Sequence, residues 1–316
     1  MKRLSMFLII LSLLMLCVTL SGLLDGGRQQ HSLAQAHASC LSIPASPNYL
    51  ATGRPEDAVA ALDNAHRLAQ LPPLQLPANF YRLDPARQQL LILNQERGDR
   101  GLPPLTLDPY LSQLATAYSR QLRDLNFFDH SSPLVGNFEQ RVNDNPLLAD
   151  HYQLAAENLA GNPVPGIGSM YEYMYNDAAE NCAHRQNILD PELTLIGIGW
   201  VSGSRYGAIS AQEFLTPSSL DPYQVRPSHA PAPEIAITHI RFDTASTNVL
   251  LAEARVHDSF GGARVTWFLD RFGNQPQSGL HAEYNLKGLS PGGHTLLAYV
   301  VNGNMQYSAA SYHFSV

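Results

Sequence analysis

Three short stretches of the sequence carry side chains that could do chemistry. His130 lies in FFDHSSP beside two aromatic residues, Glu157 lies in AAENLA among small apolar residues, and His184 begins HRQNIL. Imidazole and carboxylate groups transfer protons and bind divalent metal ions. Each residue taken singly also has a structural interpretation: His130 could cap a turn, and Glu157 could hydrogen-bond loop backbone. For a single residue, the structural interpretation is favoured.

Other enzyme signatures are missing from the sequence. It contains no G-x-x-x-x-G-K-[ST], H-E-x-x-H, G-x-S-x-G or C-x-x-C motif, so nucleotide hydrolysis, zincin proteolysis, a nucleophile elbow and dithiol redox chemistry lack local support. Cys182 lies two residues before His184, but on a helix such residues point in different directions. A Cys-His nucleophile is therefore disfavoured.

Composition favours a folded chain of about two domains. Its 316 residues are 45% hydrophobic and 15% charged, which is too apolar for disorder. Lys plus Arg number 20 against 27 for Asp plus Glu, a net charge of −7, and only two of the cations are Lys. Nucleic acid is therefore not expected as a partner, because no basic stripe exists to neutralise phosphates.

The N-terminal residues predict export. Lys2 and Arg3 precede an apolar run over residues 4–24, so residues 1–38 are interpreted as a signal peptide or, if uncleaved, a membrane anchor. Membrane contact is expected only through this segment. In an oxidising compartment, Cys40 and Cys182 are either one disulfide or two unrelated thiols.

Helical signals dominate the middle of the chain. Residues 39–79 form an N-terminal extension with one helix beginning at Pro55, whose apolar stripe is expected to pack on the next domain. Asp84-Pro85 and Asp108-Pro109 each provide a capping residue and a proline at the first helical position. A short helix is expected around residues 164–177, and a hairpin is predicted over residues 195–214.

After this region the pattern changes to strand. Residues 218–233 are rich in proline and predict a linker, and residues 234–316 contain short runs typical of an all-β sandwich with Trp267 in its core. The sequence VNGN at Val301 predicts a type I′ hairpin turn at Asn302-Gly303. Because proline fits poorly in helices and sheet ladders, the two halves are expected to fold independently.

Taken together, six motifs in this order resemble the bacterial branch of the CAP superfamily, which includes cysteine-rich secretory, antigen 5 and pathogenesis-related plant proteins. The resemblance covers about residues 80–217. The motifs are LLILNQERGDRGLPPL from Leu90, FFDHSSP from Phe127, FEQRV from Phe138, AENLA from Ala156, HRQNIL from His184 and IGIGW from Ile196.

The resemblance implies an α+β fold, in which an α-β-α sandwich CAP domain over residues 80–217 precedes the β-sandwich. It implies a cleft with two histidines, His130 and His184, and two acidic residues. Glu157 matches the first acidic position. The family places the second acidic residue after an aromatic residue, usually Trp, on the helix before His184. That Trp is missing here, so the second acidic residue is either Asp177, which is preferred, or Glu172. In the C-terminal half, LSPGGHTL from Leu289, followed by an alternating run over residues 296–301, has a weaker resemblance to the last hairpin of bacterial immunoglobulin-like modules.

Two imidazoles with one or two carboxylates form a ligand set suited to zinc or a similar divalent metal ion. The predicted metal ligands are therefore His130, Glu157, Asp177 and His184. The family resemblance favours a secreted or surface-tethered, non-catalytic protein that binds an extracellular or envelope ligand. The alternatives are a metal-dependent hydrolase acting on peptide or cell-wall material and a structural surface module.

Overall fold

The computed structural model describes residues 42–222, 229–243 and 248–316. The predicted signal or anchor segment, Cys40 and part of the predicted linker lie outside these ranges. Across the described residues, no helix combines the length and the apolarity needed to cross a membrane.

Along the chain, helices come first and then alternate with strands up to residue 217, and the C-terminal part consists of strands. The α-helices of the described chain are α1 (Tyr49–Thr52), α2 (Pro55–Leu68), α3 (Pro85–Gly98), α4 (Pro109–Asp124), α5 (Phe138–Asn143), α6 (Ile167–Tyr175) and α7 (Ala183–Leu189). The strands are β1 (Thr106–Leu107), β2 (Tyr152–Asn162), β3 (Leu195–Ser204), β4 (Gly207–Pro217), β5 (Glu234–Asp243), β6 (Val249–His257), β7 (Arg264–Leu269), β8 (Gln277–Ser278), β9 (His281–Asn285), β10 (Gly293–Val301) and β11 (Tyr307–Ser315).

The predicted helix starts at the two Asp-Pro pairs are confirmed. The Asp84 carboxylate accepts hydrogen bonds from the backbone N–H groups of Ala86 and Arg87, and Asp108 accepts one from Leu111. These bonds satisfy donors that have no partner within the first turn of a helix. The start positions of α3 and α4 are therefore fixed by local chemistry.

Helices cover both faces of a four-stranded sheet with the strand order β1-β3-β4-β2. On one face, Ile196 and Ile198 of β3 pack with α2, α3 and α6 in a first apolar cluster. On the other face, Gly197 and Gly199 lie against α4, where an added Cβ would meet helix backbone. This is an α+β arrangement in three layers, with β2 at one edge of the sheet.

The N-terminal segment before residue 80 belongs to the first cluster. Tyr49 and several residues of α2 are fully buried in it, so the predicted packing of this helix is confirmed. His66 of α2 hydrogen-bonds Glu96 of α3 at 2.9 Å. Burial alone would raise the pKa of Glu96, but the hydrogen bond from His66 and the charge of Arg100 hold this pKa below its usual value.

Two sheets face each other in the C-terminal part, with the strand orders β11-β10-β7-β8 and β5-β6-β9. Trp267 of β7 is fully buried between them with residues such as Leu250 of β6 and Tyr284 of β9. The indole N–H donates to the carbonyl of Gly279 at 2.8 Å. Trp267 therefore lies in the core of this part, as predicted.

The outer face of the β7–β10 sheet packs on the first part of the chain. Phe268, Val301 and Met305 share one apolar cluster with residues of α4 such as Tyr118 and Leu122. Asn145 donates a hydrogen bond of 2.7 Å to the carbonyl of Gly303. The two parts are therefore joined by a buried interface, while the predicted domain boundaries and independent folding stay predictions.

The predicted type I′ turn at Asn302-Gly303 is wrong. The β10–β11 connection spans residues 302–306, and its positive φ is found at Met305, at 61°. Tertiary contacts explain the difference, since a Cβ at Gly303 would lie 2.7 Å from Cδ of Pro146. Glycine is required here for close approach to the neighbouring part rather than for a tight hairpin.

Candidate functional site

A cleft of about 410 Å³ opens at the β2 edge of the first sheet. One wall is the loop that follows α4 and carries His130, and another is α7, which carries His184. Although 54 residues separate them in sequence, the two imidazole rings lie 6.3 Å apart between centroids. The structure therefore brings both predicted histidines into one cavity.

Glu157 of β2 orients His130. Its Oε1 lies 2.8 Å from Nδ1 of His130, and its Oε2 accepts a hydrogen bond from the guanidinium of Arg141 on α5. Arg141 is buried, stacks on the ring of Tyr118 at 3.7 Å, and also donates to the backbone carbonyl of His130 at 2.7 Å. The carboxylate is thus held in place from two sides.

Asp177 plays the same part for His184. Oδ1 of Asp177 lies 2.7 Å from Nδ1 of His184, and Oδ2 accepts a hydrogen bond from the backbone N–H of Arg185. A carboxylate oxygen can only accept, so Nδ1 of each histidine carries the hydrogen and Nε2 of the neutral ring is left with a lone pair. Each ring is therefore fixed in one orientation and one tautomer.

Glu172, the alternative second acidic residue, lies elsewhere in the cleft wall. Its Oε1 accepts hydrogen bonds from the hydroxyl of Tyr49 at 2.7 Å and from Asn162 at 3.2 Å, and its Oε2 accepts one from Asn176. Glu172 therefore braces the N-terminal segment against α6, whereas Asp177 contacts the histidine.

The loop interpretation of Glu157 is wrong. Glu157 and Asn158 lie in the middle of β2, a strand of 11 residues that the sequence analysis did not predict. Asn158 faces the opposite side of the sheet from Glu157 and donates to the backbone carbonyl of His184. Two successive residues of β2, which point to opposite faces of the sheet, therefore contact the two histidines: Glu157 contacts the ring of His130, and Asn158 contacts the backbone of His184.

Glu213 of β4 is a site residue that the sequence analysis missed. It is buried and is the cross-strand neighbour of Glu157. Burial, together with the negative charge of Glu157, raises the pKa of Glu213 to about 8, against the opposing effect of Arg141. Its signal in the sequence is a single acidic residue inside the otherwise uncharged strand AISAQEFL.

Cys182 lies between Asp177 and His184 and is disulfide-bonded. It precedes α7 in a left-handed conformation with φ of 64°. The predicted partner, Cys40, lies outside the described residues, so the pairing with Cys40 stays a prediction.

Metal ligation by four residues is not seen in the described ranges. There, no group of three or more His, Cys, Asp or Glu side chains has the arrangement needed to hold a metal ion. The carboxylates of Glu157 and Asp177 each contact the Nδ1 atom of one histidine. In this arrangement, Nε2 is the ring nitrogen that each histidine has left for a metal ion.

The part of the chain that carries this site matches a known family. Residues 90–215 match the family described as CAP, the cysteine-rich secretory protein family. This segment is a CAP domain. The match contains His130, Glu157, Asp177 and His184, and it confirms the resemblance to the bacterial CAP superfamily that the motifs indicated.

Relatives of the CAP domain occur in Bacillus. The uncharacterized protein YkwD of Bacillus subtilis (strain 168) is 35% identical over 125 residues, covering 39% of this chain and 44% of the relative. The uncharacterized membrane protein YlbC of the same organism is 26% identical over 113 residues, covering 36% of this chain and 30% of the relative. The chain thus spans less than half the length of both curated relatives.

A solved structure is also similar. It is the crystal structure of an extracellular protein containing a SCP domain from Bacillus anthracis str. Ames, with 25% identity and a TM-score of 0.36. The match covers 46% of this chain and 44% of that chain.

Proposed function

We propose that the protein acts outside the cytoplasm as a CAP-domain binding protein whose cleft takes up a divalent metal ion, zinc being the best candidate, and with it a small ligand. The observation that supports this most is the pairing of each cleft histidine with its own carboxylate. Histidines that ligate metals almost always donate their other ring N–H to a carboxylate, a backbone carbonyl or water, which fixes the ring and raises its basicity. His130 with Glu157 and His184 with Asp177 repeat this arrangement.

In this proposal, Nε2 of His130 and Nε2 of His184 are the protein ligands. Glu157 and Asp177 orient the rings instead of binding the ion directly, which modifies the four-ligand set expected from the family resemblance. Two protein ligands leave the other coordination positions to water and to a bound ligand. An ion with open positions can hold an anionic or carbonyl group of that ligand in the cleft.

The remaining walls of the cleft suit a small polar ligand. Phe128 and Leu159 provide apolar surface, and Asn176 and Glu180 provide polar groups near the opening. The His130 side chain is half exposed, whereas His184 is 15% exposed. A ligand therefore reaches the pair from the His130 side.

The all-β C-terminal half is proposed to be an immunoglobulin-like module that places the CAP domain at the cell envelope. Its support is the pair of facing sheets with Trp267 buried between them. The extracellular location rests on the N-terminal sequence and on the description of the Bacillus anthracis relative as an extracellular protein.

Zinc titration by calorimetry tests the metal site. The full chain is stripped with chelator, desalted and titrated with zinc chloride, alongside the variants His130→Ala and His184→Ala. His313→Ala serves as a matched control, because His313 is an exposed histidine on β11. We expect one site that is lost in both cleft variants and kept in the control. Absence of zinc binding by the wild-type chain, or binding unchanged in both cleft variants, would refute the proposal.

A further inference from the structure

The loop over residues 127–136, called the His130 loop below, has little regular structure of its own. It contains one isolated bridge, between Ser132 and Gly136. On the CAP side it is held by the hydroxyl of Tyr118, which donates to the carbonyl of Asp129 at 2.7 Å, and by Arg141, which donates to the carbonyl of His130. These bonds fix the middle of the loop.

The C-terminal half holds both ends of the same loop. At the start, the ring of Phe127 lies 5.7 Å from the ring of Phe272, which in turn packs on Phe268 at 5.0 Å. At the end, Leu134 is buried in the apolar cluster shared with Phe268, and the hydroxyl of Thr266 donates to the carbonyl of Leu134 at 3.4 Å. The two anchors lie on either side of His130 in the sequence.

His184 is anchored differently. Its ring contacts Asp177 and Tyr173 of the CAP domain. The C-terminal end of α7, the helix that carries His184, is held by the buried Arg97 of α3. Its guanidinium donates to the carbonyls of Ile188 and Asp190 at 2.7 and 2.8 Å. These anchors all precede the proline-rich stretch, whereas the His130 loop is held both by the CAP side and by the C-terminal half.

We infer that the C-terminal half is a positioning element of the CAP cleft: through Phe272 and Thr266 it sets where the His130 loop, and therefore the His130 ring, lies relative to His184. This inference extends the proposed metal site. Of its two measurements, the zinc affinity rests on that proposal, whereas the imidazole spectra do not. Metal affinity depends on the separation and orientation of the two rings, and ligand groups must be held to within about 0.5 Å by their supporting residues. Phe272 and Thr266 are thus positioning residues that do not touch the metal.

A cavity lies between the His130 loop and the C-terminal half. It measures about 470 Å³ and lies between Ser132–Leu134 of the His130 loop and Ala263–Thr266 of the C-terminal half. Space behind the loop means that weakening the remaining contacts lets the loop move without compressing a packed core. We therefore expect substitutions at the C-terminal anchors to displace His130 more readily than to unfold the chain.

The test uses Phe272→Ala in the full chain. Phe272 is partly exposed at the edge of the interface, so its truncation is expected to leave the fold intact. Phe242→Ala is the matched control, because Phe242 is a partly exposed aromatic residue of the same C-terminal half whose ring packs on Phe314 of β11. Nitrogen-15 imidazole spectra at one fixed pH, recorded without metal, report each histidine separately. Zinc affinity is measured on the same samples.

In Phe272→Ala we expect the His130 imidazole signals to shift or broaden while those of His184 stay in place, and zinc to bind about tenfold more weakly. Phe242→Ala should match the wild type in both measurements. Unchanged His130 signals in folded Phe272→Ala would overturn the inference, whether or not the wild-type chain binds zinc. Absence of zinc binding by the wild type would refute the metal site alone, because the metal-free spectra still test the positioning.

A second variant covers the case in which Phe272→Ala does not fold. Thr266→Val keeps the shape of the side chain and removes the hydroxyl that donates to Leu134. We expect the same selective change in the His130 signals, of smaller size. Identical His130 and His184 spectra in Thr266→Val and the wild type would then overturn the inference.

Discussion

Glu157 and Glu213 are direct cross-strand partners on β2 and β4. Like charges that face each other across two strands repel, and here both residues are buried. The raised pKa of Glu213, about 8, follows from burial first and from the charge of Glu157 second. Both effects favour the neutral form of Glu213 in the folded protein.

Glu213→Gln should make folding stability less dependent on pH. In the wild type, burial raises the pKa of Glu213 in the folded state to about 8, above its usual value of 4.5. Proton binding to Glu213 therefore stabilises the folded state fully below pH 4.5, and this contribution is lost as the pH rises to 8. Glutamine cannot ionise, and the variant should gain on the order of a few kcal/mol relative to the wild type between pH 5 and pH 8.

Urea unfolding at pH 5, 6.5 and 8 measures this difference. Glu234→Gln is the control, since Glu234 is exposed on β5. A stability difference between Glu213→Gln and the wild type that stays constant across the three pH values would contradict the raised pKa.

Gly199→Ala should destabilise the CAP domain strongly. A Cβ at Gly199 would meet the backbone of Ala115 and Thr116 on α4, and backbone cannot move aside as a flexible side chain can. Overpacking of this kind costs about 1–3 kcal/mol or more. Thermal unfolding measures the loss. Gly98→Ala is the matched control, because nothing lies near a Cβ there, and it should be neutral or slightly stabilising. Equal melting temperatures for the two variants would contradict this packing.

Asp177→Asn should weaken zinc binding, whereas Glu172→Gln should not. Asp177 contacts Nδ1 of His184, and loss of such a partner typically costs 10–100-fold in metal affinity. Glu172 also lines the cleft but accepts its hydrogen bonds from Tyr49, Asn162 and Asn176. Calorimetric titration of both variants makes the comparison. A larger loss in Glu172→Gln would assign the second acidic role to Glu172.

Reduction of the Cys182 disulfide should loosen the segment that carries Asp177. Cys182 lies five residues after Asp177 and directly before α7, so its bond fixes one end of this segment. Loss of a native disulfide typically costs about 2–5 kcal/mol. Calorimetry with and without a phosphine reductant should show a lower melting temperature after reduction, and non-reducing peptide mapping should identify the partner as Cys40. Cys182→Ser should show no further change with reductant. Unchanged melting of the wild type on reduction would contradict a stabilising bond.

The sequence predicts the elements whose signals are local. The starts of α3 and α4 depend on Asp84 and Asp108, whose carboxylates bond to backbone two or three residues away. Strand β2 escaped prediction because AAENLA has neither the alternation nor the β-branched residues of a typical strand. It is a strand because β4 pairs with it along its length. The turn at Asn302 failed for the same kind of reason, since contacts with Pro146 and Asn145 override the local preference.

Some residues of the site could be predicted from the sequence, and others could not. His130, Glu157 and His184 were found because they lie within family motifs, and the structure places them in one cleft. Arg141 lies in a quoted motif, but its bond to Glu157 depends on how α5 packs beside β2. Glu213 has no motif, and its role follows from strand register, which periodicity alone does not provide.

The loop over residues 302–306 has a consequence for the integrity of the molecule. Its backbone accepts buried hydrogen bonds from Asn145 and Gln121, and Met305 beside them is buried against the CAP side. The halves are therefore held together by an interface as well as by the peptide bonds between them. A chain cut once within residues 218–233 should still migrate as a single particle of full mass until denaturant separates the two fragments.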